Sequence, residues 1–159
     1  MPDLTRMTRI LADAGVDFVI AGGLAVILRG SALMTRDVDI VCCMEPENLL
    51  RLFEALEPLH PVHRMTPQKL SFSREQAEKA DYKTLYLSTD WGQLDCLGEI
   101  KGVGKYEACL CVSEPILLED VTVRVLTLDA LIAAKRAMAR PRDLHAVLEL
   151  EAIRERQKG

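Results

Sequence analysis

The sequence of 159 residues predicts an α+β domain, and three observations predict it. Short apolar runs at 17–21, 36–43, 82–88 and 93–97 have the length of strands, the first of them β-branched and aromatic. Stretches at 4–14, 46–56 and 127–156 carry apolar residues at helical spacing. Turn signals at Thr89-Asp90-Trp91-Gly92 and Glu119-Asp120 read as hairpins joining neighbouring strands. At this length one domain over 1–159 is expected, with roughly 70% of the unfolded chain's surface buried on folding.

The elements follow in order. Leu4, Met7, Ile10, Leu11 and Ala14 make a helical stripe that Gly15 stops. Asp17–Ala21 reads as a strand buried on both faces, and Gly22-Gly23 turns it into a short helix from about Leu24 to Leu28. Arg36–Cys43 is the next strand. Its continuously apolar end, Ile40-Val41-Cys42-Cys43, marks it as interior to a sheet. Glu45, Pro46 and Glu47 suit the first turn of a helix running to Leu56. Residues 58–81, rich in Pro, Ser, His and charge, form the most loop-like part of the chain, with one helical turn at Ser73-Arg74-Glu75-Gln76 and with His60 and His63 at the surface. Strands follow at Tyr82–Ser88 and Gln93–Leu97. Gly102-Val103-Gly104-Lys105 is a loop and lacks the phosphate-loop pattern, since Tyr106 stands where Ser or Thr is needed. Cys109–Val112 reads as a short strand, 115–118 and 121–126 as a hairpin. Thr127 or Asp129 caps a helix that Pro141 breaks, and Arg142–Arg156 forms the last one. The charges at that junction, Lys135, Arg140 and Asp143, read as a solvated helix end.

Composition limits the functions available. Hydrophobic residues make up 49% and aromatics only 4%, so aliphatic side chains must build the core. A formal net charge of −4 argues against a broadly basic nucleic-acid surface. It leaves room for a local basic groove from Arg29, Arg36, Lys135, Arg136, Arg140 and Arg142. Five cysteines, at 42, 43, 96, 109 and 111, lie in apolar runs, which fits reduced, buried thiols in the cytoplasm. Cys109-Leu110-Cys111 and His60-Pro61-Val62-His63 lack common zinc spacings. Neither a signal peptide nor a run of ~20 apolar residues is present, so a cytoplasmic protein without membrane partners is expected.

The chemistry concentrates in Ala21-Gly22-Gly23 and Asp37-Val38-Asp39. On a strand, Asp37 and Asp39 share a face while Val38 and Ile40 take the other. Two carboxylates held that close repel, and the remedies are a raised pKa or a bound cation. A glycine pair at a strand-to-helix turn lets phosphate approach backbone N–H groups. Asp95 interrupts an apolar run in the same manner, and it becomes a third carboxylate if its strand lies beside 36–43.

These residues resemble the nucleotidyltransferase superfamily with the DNA polymerase β-like fold. The pattern is Ala21-Gly22-Gly23, a helix-length spacer, Asp37-Val38-Asp39, and Leu94-Asp95-Cys96. Thr35-Arg36 before the acids and the Leu131-Ile132…Lys135…Arg140…Asp143 ending resemble the small bacterial abortive-infection toxin nucleotidyltransferases. The resemblance implies a mixed β-sheet flanked by helices, with C-terminal helices from about 127. It implies two Mg²⁺ ions at Asp37 and Asp39, completed by Asp95, and an NTP held by Gly22, Gly23, Arg36 and Lys135. The implied reaction moves NMP to a hydroxyl of RNA, a protein or a small molecule, with a toxin–antitoxin pairing to an antitoxin protein as one setting. The alternatives are a non-catalytic nucleotide- or partner-binding module and a metal-dependent phosphohydrolase.

Overall fold

The strand-length runs come together as one mixed seven-stranded sheet, whose order across the sheet is 62–63, 84–89, 92–97, 37–42, 18–21, 121–126 and 113–118. A computed structural model describes residues 3–79 and 81–158; Met1, Pro2, Ala80 and Gly159, part of the expected 1–159 domain, lie outside the described residues. The strands are β1 (Phe18–Ala21), β2 (Asp37–Cys42), β3 (Val62–His63), β4 (Thr84–Thr89), β5 (Gly92–Leu97), β6 (Glu99–Ile100), β7 (Gly104–Lys105), β8 (Ser113–Leu118) and β9 (Val121–Leu126). The helices are α1 (Leu4–Asp13), α2 (Gly22–Leu28), α3 (Pro46–Leu56), α4 (Arg74–Lys79), α5 (Tyr106–Cys111), α6 (Leu128–Met138) and α7 (Pro141–Lys158).

Burial explains the order. Strand β1 is buried along its whole length and β2 from Ile40 onward, so both take central places. Within β2, Val38 and Ile40 are fully buried, while Asp37 and Asp39, on the other face, are only partly covered. Strand β2 pairs antiparallel with β1 and parallel with β5, which is the interior setting its apolar end requires. Val19, Ile20, Ile40, Val41, Leu87, Leu94 and Cys96 have no measurable exposure and form the middle of the core. Gly15, at φ +75°, ends α1 as expected, and the Thr127 hydroxyl accepts the Ala130 N–H to cap α6.

Several local expectations need correction. Cys109–Cys111 is helical rather than extended and ends α5, with Val112 as its C-cap. A four-residue apolar run carries no period that separates strand from helix, and here Cys109 alone turns inward while Cys111 is exposed. The expectation of five buried thiols fails at Cys111, which is exposed, and at Cys43, which is half-buried. All five are free. Gly104-Lys105 is not simply loop; it pairs with β6 in a two-stranded ribbon. The stretch 58–81 supplies edge strand β3, which reads as loop in the sequence, and helix α4, which extends the helical turn expected at 73–76. His60 is exposed and bonds Asp90 Oδ2 at 2.7 Å. His63 is half-buried, stacked on Tyr82 and against the edge of Phe72, so it is a packing residue. No described helix is long and apolar enough to cross a membrane.

Candidate active site

The parallel β2–β5 register sets Asp39 directly beside Asp95 and Asp37 beside Gln93. Partners in register share a face, so Asp39 and Asp95 project together, with Asp37 two residues along on the same side. The antiparallel neighbours extend the row: Ala21 of β1 pairs with Asp39, and Tyr86 of β4 pairs with Asp95. The chain leaves β1 at Ala21, so Gly22 arrives over Asp39. Gly22 has φ +59°, and a Cβ there would stand 2.1 Å from Asp39 Oδ2. A Cβ on Gly23 would meet Thr35 Oγ1 at 2.9 Å. Both glycines are thus required by close approach, and Gly22 also by its backbone angle.

The carboxylates interact strongly. The Asp39 carboxyl is pushed up to about 6, first by burial, then by the charges of Asp95 and Asp37 and by a hydrogen bond with the Asp95 carboxyl. Lys135, on α6, pulls the other way and so faces the same site. Its Nζ lies 3.6 Å from Asp143 Oδ1. Asp143 is 1% exposed and is chelated by the Arg140 guanidinium, whose hydrogen bond holds it below the usual carboxylate range. At the junction of α6 and α7 Asp143 is therefore a buried acid clasped by two cations, while Arg140 stays exposed as a solvated helix end would leave it. Arg36 is at the surface and forms no ion pair among the described residues. It stands next to the acids in sequence, but nothing on the protein holds it there.

Sequence reasoning missed Arg64. Its Nη2 is ion-paired with Asp95 Oδ1, and both side chains are mostly covered. Arg64 lies in the stretch that reads as loop, and no periodicity marks it. A small recess of about 160 Å³ adjoins the site, lined by Gly22, Gly23, Thr35, Lys135 and Leu150. A larger cleft of about 640 Å³ lies past the ends of β2 and β5, among Cys43, Tyr82, Lys83, Lys105 and Tyr106, and contains none of these site residues.

The donor set fits a divalent cation of the magnesium type in kind. Three hard carboxylate oxygens on one face, one of them with a raised pKa, gain most from a nearby positive charge. The missing Cβ at Gly22 leaves room for the Asp39 carboxylate against the turn. As the side chains stand, with Asp95 on Arg64, no three His, Cys, Asp or Glu side chains among the described residues are gathered to hold a metal ion.

The arrangement of sheet and helices is a nucleotidyltransferase fold. A Thermotoga maritima protein described as a nucleotidyltransferase is similar in structure, with a TM-score of 0.51 at 16% identity, covering 96% of this chain and 91% of that one. The model of the aminoglycoside-2″-adenylyltransferase family matches residues 3–150, and the chain belongs to that family. No curated protein matches it closely enough to add a relative.

Proposed function

We propose that the protein is a Mg²⁺-dependent nucleotidyltransferase that moves NMP from an NTP to a hydroxyl acceptor. The observation that carries this is the alignment of Asp39 with Asp95, Asp37 on the same face and Gly22 closed over Asp39. Asp37 and Asp39 would hold two ions, with Asp95 completing the site. Bound there, Mg²⁺ supplies charge neutralisation for the triphosphate and lowers the pKa of the acceptor hydroxyl.

The chain's own residues do the rest. The backbone N–H groups of Gly22 and Gly23 bind phosphate oxygens, and Lys135 and Arg36 add positive charge. The acceptor oxygen bonds to the α-phosphorus as the bond to the bridging oxygen breaks, and pyrophosphate leaves. A carboxylate of the set accepts the hydroxyl proton. Catalysis of this kind is positioning and charge complementarity, with no covalent protein intermediate.

The family description names adenylyl transfer to the 2″ position of an aminoglycoside. That favours ATP and a small polyhydroxylated acceptor, and a net charge of −4 suits a polycationic one. RNA or protein as acceptor, with a toxin role beside an antitoxin, rests on the motif resemblance alone. The reading sets the protein in the cytoplasm, where NTPs and reduced thiols occur together. The test is incubation with each α-labelled NTP, Mg²⁺ and, in turn, an aminoglycoside panel, total RNA and lysate protein. Label on an acceptor that vanishes in Asp37→Asn supports the reading. Pyrophosphate or phosphate release without transfer assigns hydrolysis instead, and nucleotide binding without turnover assigns a binding module.

A further inference from the structure

One cation already stands in the acidic row. Arg64 directly follows β3, and its backbone N–H donates to Tyr86 O at 2.9 Å. Tyr86 pairs with Asp95 and Asp95 with Asp39, so Arg64 continues the same row one strand further. Its guanidinium passes over the Tyr86 ring, 5.4 Å from the centroid, and bonds Asp95 through Nη2. With side chains 24% and 16% exposed, the pair is only weakly screened by salt. Yet only one prong of the fork is used on the carboxylate. Nη1 reaches Met65 Sδ at 3.7 Å, and the buried Nε has no hydrogen-bond partner. A two-pronged pair would be a fixed strut. A one-pronged pair with a buried donor to spare is a contact that an anion can draw away.

We propose that Arg64 is a resident counter-cation that competes with the divalent ion for Asp95. It holds Asp95 in the metal-free protein, must leave for Asp39 and Asp95 to share an ion, and on leaving turns its guanidinium to the triphosphate. Metal and nucleotide then bind cooperatively, since each removes the obstacle to the other. The inference rests on reading Asp37, Asp39 and Asp95 as the metal site.

Mn²⁺ binding, followed by calorimetry with and without a non-hydrolysable ATP analogue, tests it. Arg64→Gln is expected to bind Mn²⁺ alone about tenfold more tightly and the Mn²⁺–analogue pair more weakly, reversing the native preference. Arg64→Lys, which keeps the charge, is expected near the native values. Arg64→Met, which keeps an apolar stem over Tyr86, replaces the glutamine variant if that one does not fold. Native Mn²⁺ binding that Asp39→Asn abolishes and Arg64→Gln leaves unchanged overturns this inference alone. Absence of any Asp39-dependent Mn²⁺ binding in the native chain overturns the metal-site reading, and this inference with it.

Discussion

At Gly22 a single methyl group would collide with Asp39 Oδ2, and at φ +59° it would also strain the backbone. Gly22→Ala is therefore expected to displace the Asp39 carboxylate and lower kcat/KM for label transfer by about 100-fold or more, with a smaller loss of stability. Gly23→Ala makes a milder clash, 2.9 Å to Thr35 Oγ1, at an ordinary backbone angle and displaces no carboxylate, so it should cost less; equal effects in steady-state assays would contradict this ranking. Asp39 itself makes a pH prediction for the chelator-treated protein. Its pKa rises from 3.8 to about 6 on folding, so the folded chain keeps a proton that the unfolded chain has lost. That contribution is full below the unfolded value, shrinks as pH rises through about 6 and is absent above. Asp39→Asn removes the penalty of burying the charge. Without metal it should melt higher than the native chain at pH 7, by on the order of 1–2 kcal/mol after allowance for solvent, with a flatter profile between pH 4 and 6. A variant that melts lower at pH 7 would show that the carboxylate is stabilised by something other than metal.

Helix α3 shows how an element is fixed by one polar residue on its apolar face. Asn48 sits one turn before Leu52 and is 1% exposed. Its Nδ2 donates to Asp17 O at 3.1 Å and Cys43 O at 2.8 Å, and its Oδ1 accepts the Asp17 N–H at 2.7 Å. This one amide ties the entry to β1 to the exit of β2, the two strands that flank Gly22 and carry Asp37 and Asp39. Asn48→Ala orphans buried backbone groups and should destabilise the fold by about 2–3 kcal/mol, read by denaturant titration. A loss below about half a kcal/mol would mean that water replaces the amide. From sequence alone Asn48 is one polar residue among Leu49, Leu52, Phe53 and Leu56, and nothing in the period says what it bonds.

Over the whole molecule, what was legible is what local pattern controls. The alternation of Asp37, Val38, Asp39 and Ile40 gave the faces of β2 correctly, and the apolar end of that strand gave its interior place. The partner of Asp95 was open, because pairing between strands more than fifty residues apart leaves no local trace; only the fold sets Asp95 against Asp39. Arg64 is hidden for the same reason, its partner Asp95 lying on another strand; at Asp143 the contacts to Arg140 and Lys135 are local, and what the sequence hides is the burial of its carboxylate. The candidate site is assembled from residues 22, 37, 39, 95 and 135, on two central strands and two helices. Ligand bound there bridges segments from both halves of the chain, so it must stabilise the fold globally. At 100 times its dissociation constant, MgATP adds about 2.7 kcal/mol by mass action. For a domain of this size that raises Tm by on the order of 5–10 °C. The shift should need Mg²⁺ and ATP together and should vanish in Asp37→Asn. A shift of equal size in that variant, or with ATP and chelator, would place the nucleotide elsewhere, for which the cleft beyond β2 and β5 is one alternative.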